Sequence, residues 1–342
     1  MGYRLGASMS TMRLDPTTRE WVIIATDRGR RPDDFVLQRD KRAASRLEKP
    51  CPFCPGNEDM TPPEVLSHRD HATQNWRVRA FPNRFPAVAP GGSTQRKQES
   101  GLLVSLDGVG IHEVIVETPS HDRMPGLMSV EEVQDVLLAY QERFRALIRK
   151  PWFQSIIIFK NHGLGAGTSL EHPHSQLVAT AVVPRHLRMR QQVALDYYDA
   201  TGRCVYSDLA LLEADMGIRL VASSDRFVAF HPFASSRPFE TWILPRARQP
   251  SFSEASPDDL SDLAGILRTI LIKLHRGLNN PDFNYVLDLG LPAGGNADHY
   301  MWHFRLFPRL SETAGFEMGS GIYINTALPE ETAEFMRGVR AD

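Results

Sequence analysis

Residues 155–183 read SIIIFKNHGLGAGTSLEHPHSQLVATAVV, and the order of signals in this stretch decides the fold. Ser155 to Phe159 is an apolar run of strand length. A loop of small residues, Gly163 to Ser169, follows, and then a second strand near His172 to Val183, which opens on two histidines flanking Pro173. Upstream stand a strand from Glu113 to Glu117, the triplet Pro119-Ser120-His121, and a helix from Val130 to Arg149. The same order recurs further on: a strand from Phe239 to Leu244, Pro245-Arg246-Ala247, a helix from Pro257 to Arg276, a strand from Asn284 to Leu289, and another from Tyr300 to Phe307. In this alignment His172 and His174 match His303 and Arg305.

Self-similarity of this length indicates one structural unit used twice. In the first helix Val133, Val136, Leu137, Tyr140 and Phe144 recur at helical spacing, as do Leu260, Leu263, Ile266, Leu267, Ile270 and Leu274 in the second. Each helix therefore covers a sheet with one face. Four strands and a covering helix per copy predict an α+β architecture of mostly antiparallel sheets, with halves at residues 1–195 and 196–342. Ahead of the repeats, Asp15-Pro16-Thr17-Thr18 reads as a turn into a strand from Trp21 to Ile24, and the basic segment Asp27 to Arg31 after it suits anion binding. Ala89 to Gly101, rich in Gly, Ser, Gln and Pro, reads as a mobile loop.

With 342 residues, 42% hydrophobic and 23% charged, the chain has ample material for a buried core. A net charge of -2 and the lack of long Lys/Arg runs give no source for the counterion-release affinity of nucleic-acid binders. No run approaches the roughly 20 apolar residues of a membrane helix, and Met1 to Met12 has no signal-peptide pattern, so the expectation is a cytoplasmic protein without nucleic-acid or membrane partners. Three cysteines, two of them spaced as Cys51-Pro52-Phe53-Cys54, do not make a disulfide framework; the pair reads as metal-binding or redox-active.

The chemistry concentrates in the loop and the histidines after it. Backbone N–H groups of Gly163 to Thr168 and the Ser169 hydroxyl suit close approach to phosphate oxygens. An imidazole is a nucleophile when one ring nitrogen is unprotonated, and a carbonyl accepting from the other N–H fixes that tautomer.

The segment Asn161 to Gln176 resembles the active-site stretch of the galactose-1-phosphate uridylyltransferase family, a branch of the histidine-triad superfamily. The likeness extends to Asp15 to Trp21, Arg28 to Pro32, Cys51 to Gly56, Asn83 to Pro86, His121, Pro238-Phe239-Glu240 and Gly315 to Asn325. It implies duplicated histidine-triad-like domains, the first carrying the nucleophile and a zinc site, the second degenerate. It implies that His174 attacks the α-phosphorus of a nucleotide sugar, expels a sugar 1-phosphate and passes the nucleotidyl group to a second phosphate in a ping-pong cycle. The carbonyl that orients His174 is then that of His172, and Gln176 donates to the α-phosphate oxygens where relatives that hydrolyse carry a third histidine. Arg28 and Arg31 match phosphate-binding arginines, Asn161 and Ser169 further nucleotide and phosphate contacts, Asn83 a nucleoside contact, and Phe316 the sugar pocket. Cys51, Cys54, His121 and His172 match the ligands of one structural zinc per chain, and a homodimer is expected because family members borrow tail residues from the partner.

The reading is a UDP-glucose:hexose-1-phosphate uridylyltransferase, with an ADP-glucose phosphorylase as the alternative and a histidine-triad hydrolase disfavoured by Gln176. Two departures bear on that choice. Ser175 replaces the glycine common between the nucleophilic histidine and the glutamine, and Gly315 to Gly321 lacks the Lys, Tyr and Gln that surround the hexose phosphate, resembling instead the ADP-glucose phosphorylase branch. Around His303, its neighbour Arg305, Ala247 at the position equivalent to His121, and the Cys204 to Ser207 stretch lack the ligands that relatives use for a second metal, and none is expected.

Overall fold

The computed structural model describes residues 10–26, 32–36, 50–291 and 298–341. Arg28 and Arg31, the expected phosphate-binding arginines, lie outside the described residues. In chain order the strands are β1 (Thr11–Leu14), β2 (Trp21–Ile24), β3 (Leu66–Arg69), β4 (Trp76–Pro82), β5 (Lys97–Ser100), β6 (Leu103–Ser105), β7 (Gly110–Val116), β8 (Ser155–His162), β9 (His174–Thr180), β10 (Leu220–Ser223), β11 (Phe227–Phe230), β12 (Thr241–Pro245), β13 (Phe283–Asp288), β14 (His303–Pro308) and β15 (Tyr323–Asn325). The helices are α1 (Val130–Leu147), α2 (Arg185–Thr201), α3 (Val205–Met216), α4 (Pro257–Gly277), α5 (Gly315–Ser320) and α6 (Pro329–Gly338). Among the described residues no helix is long and apolar enough to cross a membrane.

Ten strands form one sheet in the order β10-β11-β12-β14-β13-β8-β9-β7-β4-β3, with every neighbouring pair antiparallel. Outward from the central pair, β8, β9 and β7 are mirrored by β13, β14 and β12, the strands that the repeated sequence pattern places in register. Asn161 of β8 stands opposite Asn284 of β13 at that centre.

Both covering helices start where the sequence offers a cap. Ser129 accepts from the Glu132 amide and Glu132 reaches back, and Ser256 with Asp259 does the same for α4, which has Pro257 in its first turn. Helices α1 and α4 pack against each other, and their buried stripes meet Ile156, Ile158, Leu177, Tyr285 and Leu306 on one face of the sheet. Alternation then sends His174 and Gln176 to the other face and Ser175 toward the helices.

A smaller sheet, β1-β2-β15, joins the N-terminal segment to the chain's tail, with β2 and β15 parallel. The stretch read as a mobile loop, Ala89 to Gly101, contains β5, which pairs with β6 as a hairpin, and Ala89 bridges to Val109. Its strand residues are all exposed, so no apolar alternation marked them in the sequence.

Candidate active site

The loop between β8 and β9 is held from behind by Asp282. Gly163 has φ +82°, and a Cβ there would strike the Asp282 carboxylate, while the Gly165 amide donates to Asp282 Oδ2 at 2.7 Å. The Ala166, Gly167 and Thr168 amides donate to carbonyls of Gly163 and Leu164. Of the loop amides expected to reach a phosphate, those of Gly165 to Thr168 are thus engaged internally, because a carboxylate and a short 3-10 turn compete for them. The Ser169 side of the loop lines the pocket that contains His174.

His174 heads β9 and is almost wholly buried. Its Nδ1 donates to the His172 carbonyl at 2.8 Å; a carbonyl only accepts, so Nε2 is the unprotonated nitrogen. Burial lowers the imidazole's pKa below its ordinary value, which keeps it neutral near pH 7. The ring of Phe53 meets it edge-on at 5.3 Å between centroids.

Gln176, two residues along the same face, shares with His174, Ser169, Asn83, Phe53 and Arg84 a pocket of about 390 Å3. Gln176 Oε1 lies 2.8 Å from His112 Nε2, and the Ala87 amide donates to His112 Nδ1 at 3.1 Å. The tautomer with hydrogen on Nε2 follows, so His112 donates to the oxygen of Gln176 and leaves its NH2 free to donate elsewhere. Asn83 accepts from the Phe85 amide at 2.8 Å, and its Nδ2 faces His112 Nε2 at 3.1 Å, a nitrogen to which it does not donate while His112 donates to Gln176.

Two expected site residues stand apart from this pocket. Asn161 accepts from Asn284 Nδ2 at 2.8 Å and lines a neighbouring cleft on the second half of the sheet. Phe316, in α5, is half exposed and does not line the pocket of His174 in its own chain.

Cys51, Cys54, His121 and His172 converge, each offering a ligand atom within 4.8 Å of the others. Cys54 Sγ is 3.4 Å from His121 Nδ1 and 3.6 Å from His172 Nδ1, and Cys51 Sγ is 3.8 Å from His172 Nδ1. A tetrahedron with metal–sulfur bonds of ~2.3 Å and metal–nitrogen bonds of ~2.0 Å has edges of roughly 3.3–3.8 Å, so these residues fit a metal ion. His172 Nε2 donates to the Thr118 carbonyl at 2.8 Å, which leaves Nδ1 as a ligand atom, and burial holds its pKa at about 4. Burial and the adjacent Cys51 sulfur push the Cys54 thiol up to about 11, a penalty that a divalent cation would reverse.

Beneath β9, on the helix side, lies a polar network that no motif announced. Lys160 Nζ donates to Glu117 Oε2 at 2.5 Å and to the His174 carbonyl at 3.1 Å, with both side chains fully buried. The Glu117 amide donates to the Pro173 carbonyl at 3.1 Å. Ser175 bonds to Glu117 and to Tyr140, whose hydroxyl is 2.6 Å from that of Tyr285. These groups hold residues 173–175 from below, and Ser175, the departure from glycine, supplies one of the bonds.

In the second half His303 repeats one feature of His174: its Nδ1 lies 3.0 Å from the carbonyl two residues earlier, that of Met301. Its ring, however, is fully buried between Trp242 and Tyr206, at 5.1 and 4.8 Å between centroids. Nothing the size of a substrate reaches it.

Two domain descriptions match the sequence: galactose-1-phosphate uridyl transferase, N-terminal domain, over residues 5–184, and the C-terminal domain of the same family over residues 188–336. The ADP-glucose phosphorylase of Arabidopsis thaliana is 34% identical over 333 residues, covering 96% of this chain and 92% of its own. The galactose-1-phosphate uridylyltransferase of Haemophilus influenzae is 26% identical, covering 96% and 93%. The crystal structure of an ADP-glucose phosphorylase from Arabidopsis thaliana with bound ADP-glucose aligns with a TM-score of 0.82 at 31% identity, over 97% of this chain and 100% of that one.

Proposed function

This chain belongs to the galactose-1-phosphate uridyl transferase family, a family of nucleotidyltransferases, and on that footing we propose that His174 carries the nucleotidyl group. The observation that bears most weight is the bond from His174 Nδ1 to the His172 carbonyl, which leaves the Nε2 lone pair for the pocket. That lone pair attacks the α-phosphorus of a nucleotide sugar, the bond from phosphorus to the bridging oxygen breaks, and a sugar 1-phosphate departs with the electron pair. The ring becomes cationic, and its Nδ1–H bond to the carbonyl strengthens with the charge. An oxygen of the acceptor phosphate then attacks the same phosphorus, and the P–N bond breaks to restore neutral His174.

Gln176, with its oxygen fixed by His112, donates its NH2 to the non-bridging oxygens as charge grows on them. Because an amide neither titrates nor activates water, transfer is favoured over hydrolysis. Arg28 and Arg31 hold the phosphates, Ser169 adds a hydroxyl, and Asn83 and Asn161 contact the nucleotide. Cys51, Cys54, His121 and His172 hold a structural zinc, since four protein ligands leave no position open. Zinc there supplies rigidity to the strand start whose carbonyl orients His174. The chain divides on this reading into a catalytic half, residues 1–195, and a degenerate half, 196–342. The exposure of Phe316 away from its own His174 supports a homodimer in which each tail completes the partner's sugar pocket.

ADP-glucose with inorganic phosphate as acceptor is favoured by the 34% identity to the ADP-glucose phosphorylase and by the tail sequence. UDP-glucose with a hexose 1-phosphate acceptor is the second reading, supported by the uridylyltransferase relatives. The test is the ratio of kcat/KM for exchange on the two nucleotide sugars. A ratio beyond about tenfold, ~1.4 kcal/mol of transition-state stabilisation, assigns the base, and exchange on neither refutes the transfer reading.

A further inference from the structure

On the face of the sheet away from α1 and α4, a cleft of about 370 Å3 shares no lining residue with the pocket of His174. Arg190, Arg237, Arg305 and Arg309 line it. Arg190 and Arg305 converge on one buried carboxylate, Asp288, at 2.6 and 3.1 Å, so two cations share a single anion. Arg237 and Arg309 make no ion pair among the described residues. Both are nonetheless held in place: Arg309 Nε donates to Asn284 Oδ1 at 2.6 Å, and the Arg237 guanidinium lies 5.9 and 5.6 Å from the ring centres of Phe307 and Tyr323. Phe307 carries Arg305 as well, at 5.4 Å.

Three carboxylates, Asp15, Glu20 and Glu240, also line the cleft, with Asp15 acting on Arg190 and Glu240 on Arg305 rather than on Arg237 or Arg309. Asp15 accepts from the Thr17 amide and hydroxyl, and Glu240 accepts from Ser236 and from the indole N–H of Trp242. The Nε atoms of Arg190, itself 4% exposed, and of Arg305 are buried without a hydrogen-bond partner. Burial and the charge of Arg237 both lower the proton affinity of Arg309. Arg237 and Arg309, which no carboxylate pairs among the described residues, remain available to an anion beside Arg305, and planar guanidinium forks match the oxygens of a tetrahedral oxyanion.

We propose that this cleft binds a phosphate oxyanion, either inorganic phosphate or a phosphate monoester, held by Arg237, Arg305 and Arg309 and separate from the pocket of His174. Asn284, which fixes Arg309, also donates to Asn161 Oδ1 and to the Ala166 carbonyl, both at 2.8 Å. The anion site is thereby linked to the loop in front of Ser169. Asn161, placed above among the nucleotide contacts, also lines this cleft, but none of the three arginines that hold the anion takes part in the transfer reaction.

The test is equilibrium dialysis of the full chain against radiolabelled inorganic phosphate and, in a second arm, glucose 1-phosphate. Wild type is compared with Arg237→Gln/Arg309→Gln and with Arg84→Ala/Gln176→Ala, which alters the other pocket. The expected result is a class of sites, one per chain, that the paired arginine variant weakens at least tenfold and the other-pocket variant leaves intact. Tighter binding of glucose 1-phosphate at that class identifies an ester as the occupant; equal or tighter binding of inorganic phosphate identifies the free ion. Because Arg309 is exposed, the single variant Arg309→Gln serves if the pair does not fold. Unchanged stoichiometry and affinity in the arginine variants, loss of all binding in Arg84→Ala/Gln176→Ala, or no binding to wild type would overturn the proposal.

Discussion

Replacing Lys160 by methionine removes the only cation bonded to Glu117 among the described residues and leaves a carboxylate under β9 without a counter-charge. Methionine fills nearly the same volume, so the change is electrostatic rather than a cavity. Breaking a fully buried pair from one side costs about 3–5 kcal/mol. With an unfolding entropy of ~2.1 cal/mol/K per residue over 342 residues, each kcal/mol lowers Tm by about 1.4 °C, so the single variant should melt roughly 4–7 °C below wild type. The double variant Lys160→Met/Glu117→Gln buries no charge and keeps an oxygen for Ser175, and should regain most of that loss. Thermal unfolding of the four members of the cycle measures this, and exchange kinetics on the same samples reads the site. Since Lys160 also holds the His174 carbonyl at 3.1 Å, kcat should fall about tenfold with KM nearly unchanged, a loss of ~1.4 kcal/mol confined to the transition state. A single variant within about 1 °C of wild type, or a double variant less stable than the single, would refute the view that this pair supports the strand.

Metal analysis should find one zinc per chain, Cys54→Ala should lose it, and chelation should lower both Tm and exchange because His172 connects the cluster to His174; full stability and activity after metal removal would contradict this. His112→Phe should lower kcat roughly tenfold at unchanged KM by releasing the oxygen of Gln176, and a wild-type kcat would show that His112 orients nothing. Acid should destabilise the fold through its buried imidazoles. Burial holds His231 at about 3 and His303 at about 4 against an ordinary 6.5, so below pH 6.5 the unfolded chain binds protons that the folded chain does not; the stability present above 6.5 is lost as pH falls toward 4. At pH 5 these two contribute a loss of about 4 kcal/mol, and a urea midpoint that does not move between pH 7 and pH 5 would rule them out as the cause.

The repeat was legible because α1 and α4 announce themselves by capping serines and wide apolar stripes, and because β8 and β13 are apolar runs of strand length. Helices α2 and α3 escaped notice: α2 buries only Leu187, Arg190 and Ala194, too narrow a stripe for a clear period. In the site, the grouping of His174, Gln176 and Ser169 and the four metal-ligand candidates could be read from residue types and spacing with the family resemblance. His112, Glu117, Lys160, Tyr140 and Tyr285 could not, since each comes from a different strand, loop or helix and they meet only once the sheet register is set. The internal bonding of the glycine loop was hidden for a related reason. Its amides look free in sequence, but Asp282, more than a hundred residues away, takes that of Gly165, and a tight turn takes those of Ala166, Gly167 and Thr168.

Transfer through this site requires a nucleotidyl group bonded to His174 Nε2. A phosphoramidate survives alkali and is lost in acid, so the protein should be mixed with ADP-glucose and UDP-glucose labelled in the α-phosphate, without added magnesium, quenched in base, digested and sequenced by mass spectrometry. The expected result is stoichiometric label on His174 from at least one of the two, discharged on adding a sugar 1-phosphate or inorganic phosphate, and no label or exchange in His174→Gly. Label on another residue, or undiminished exchange in His174→Gly, would contradict it.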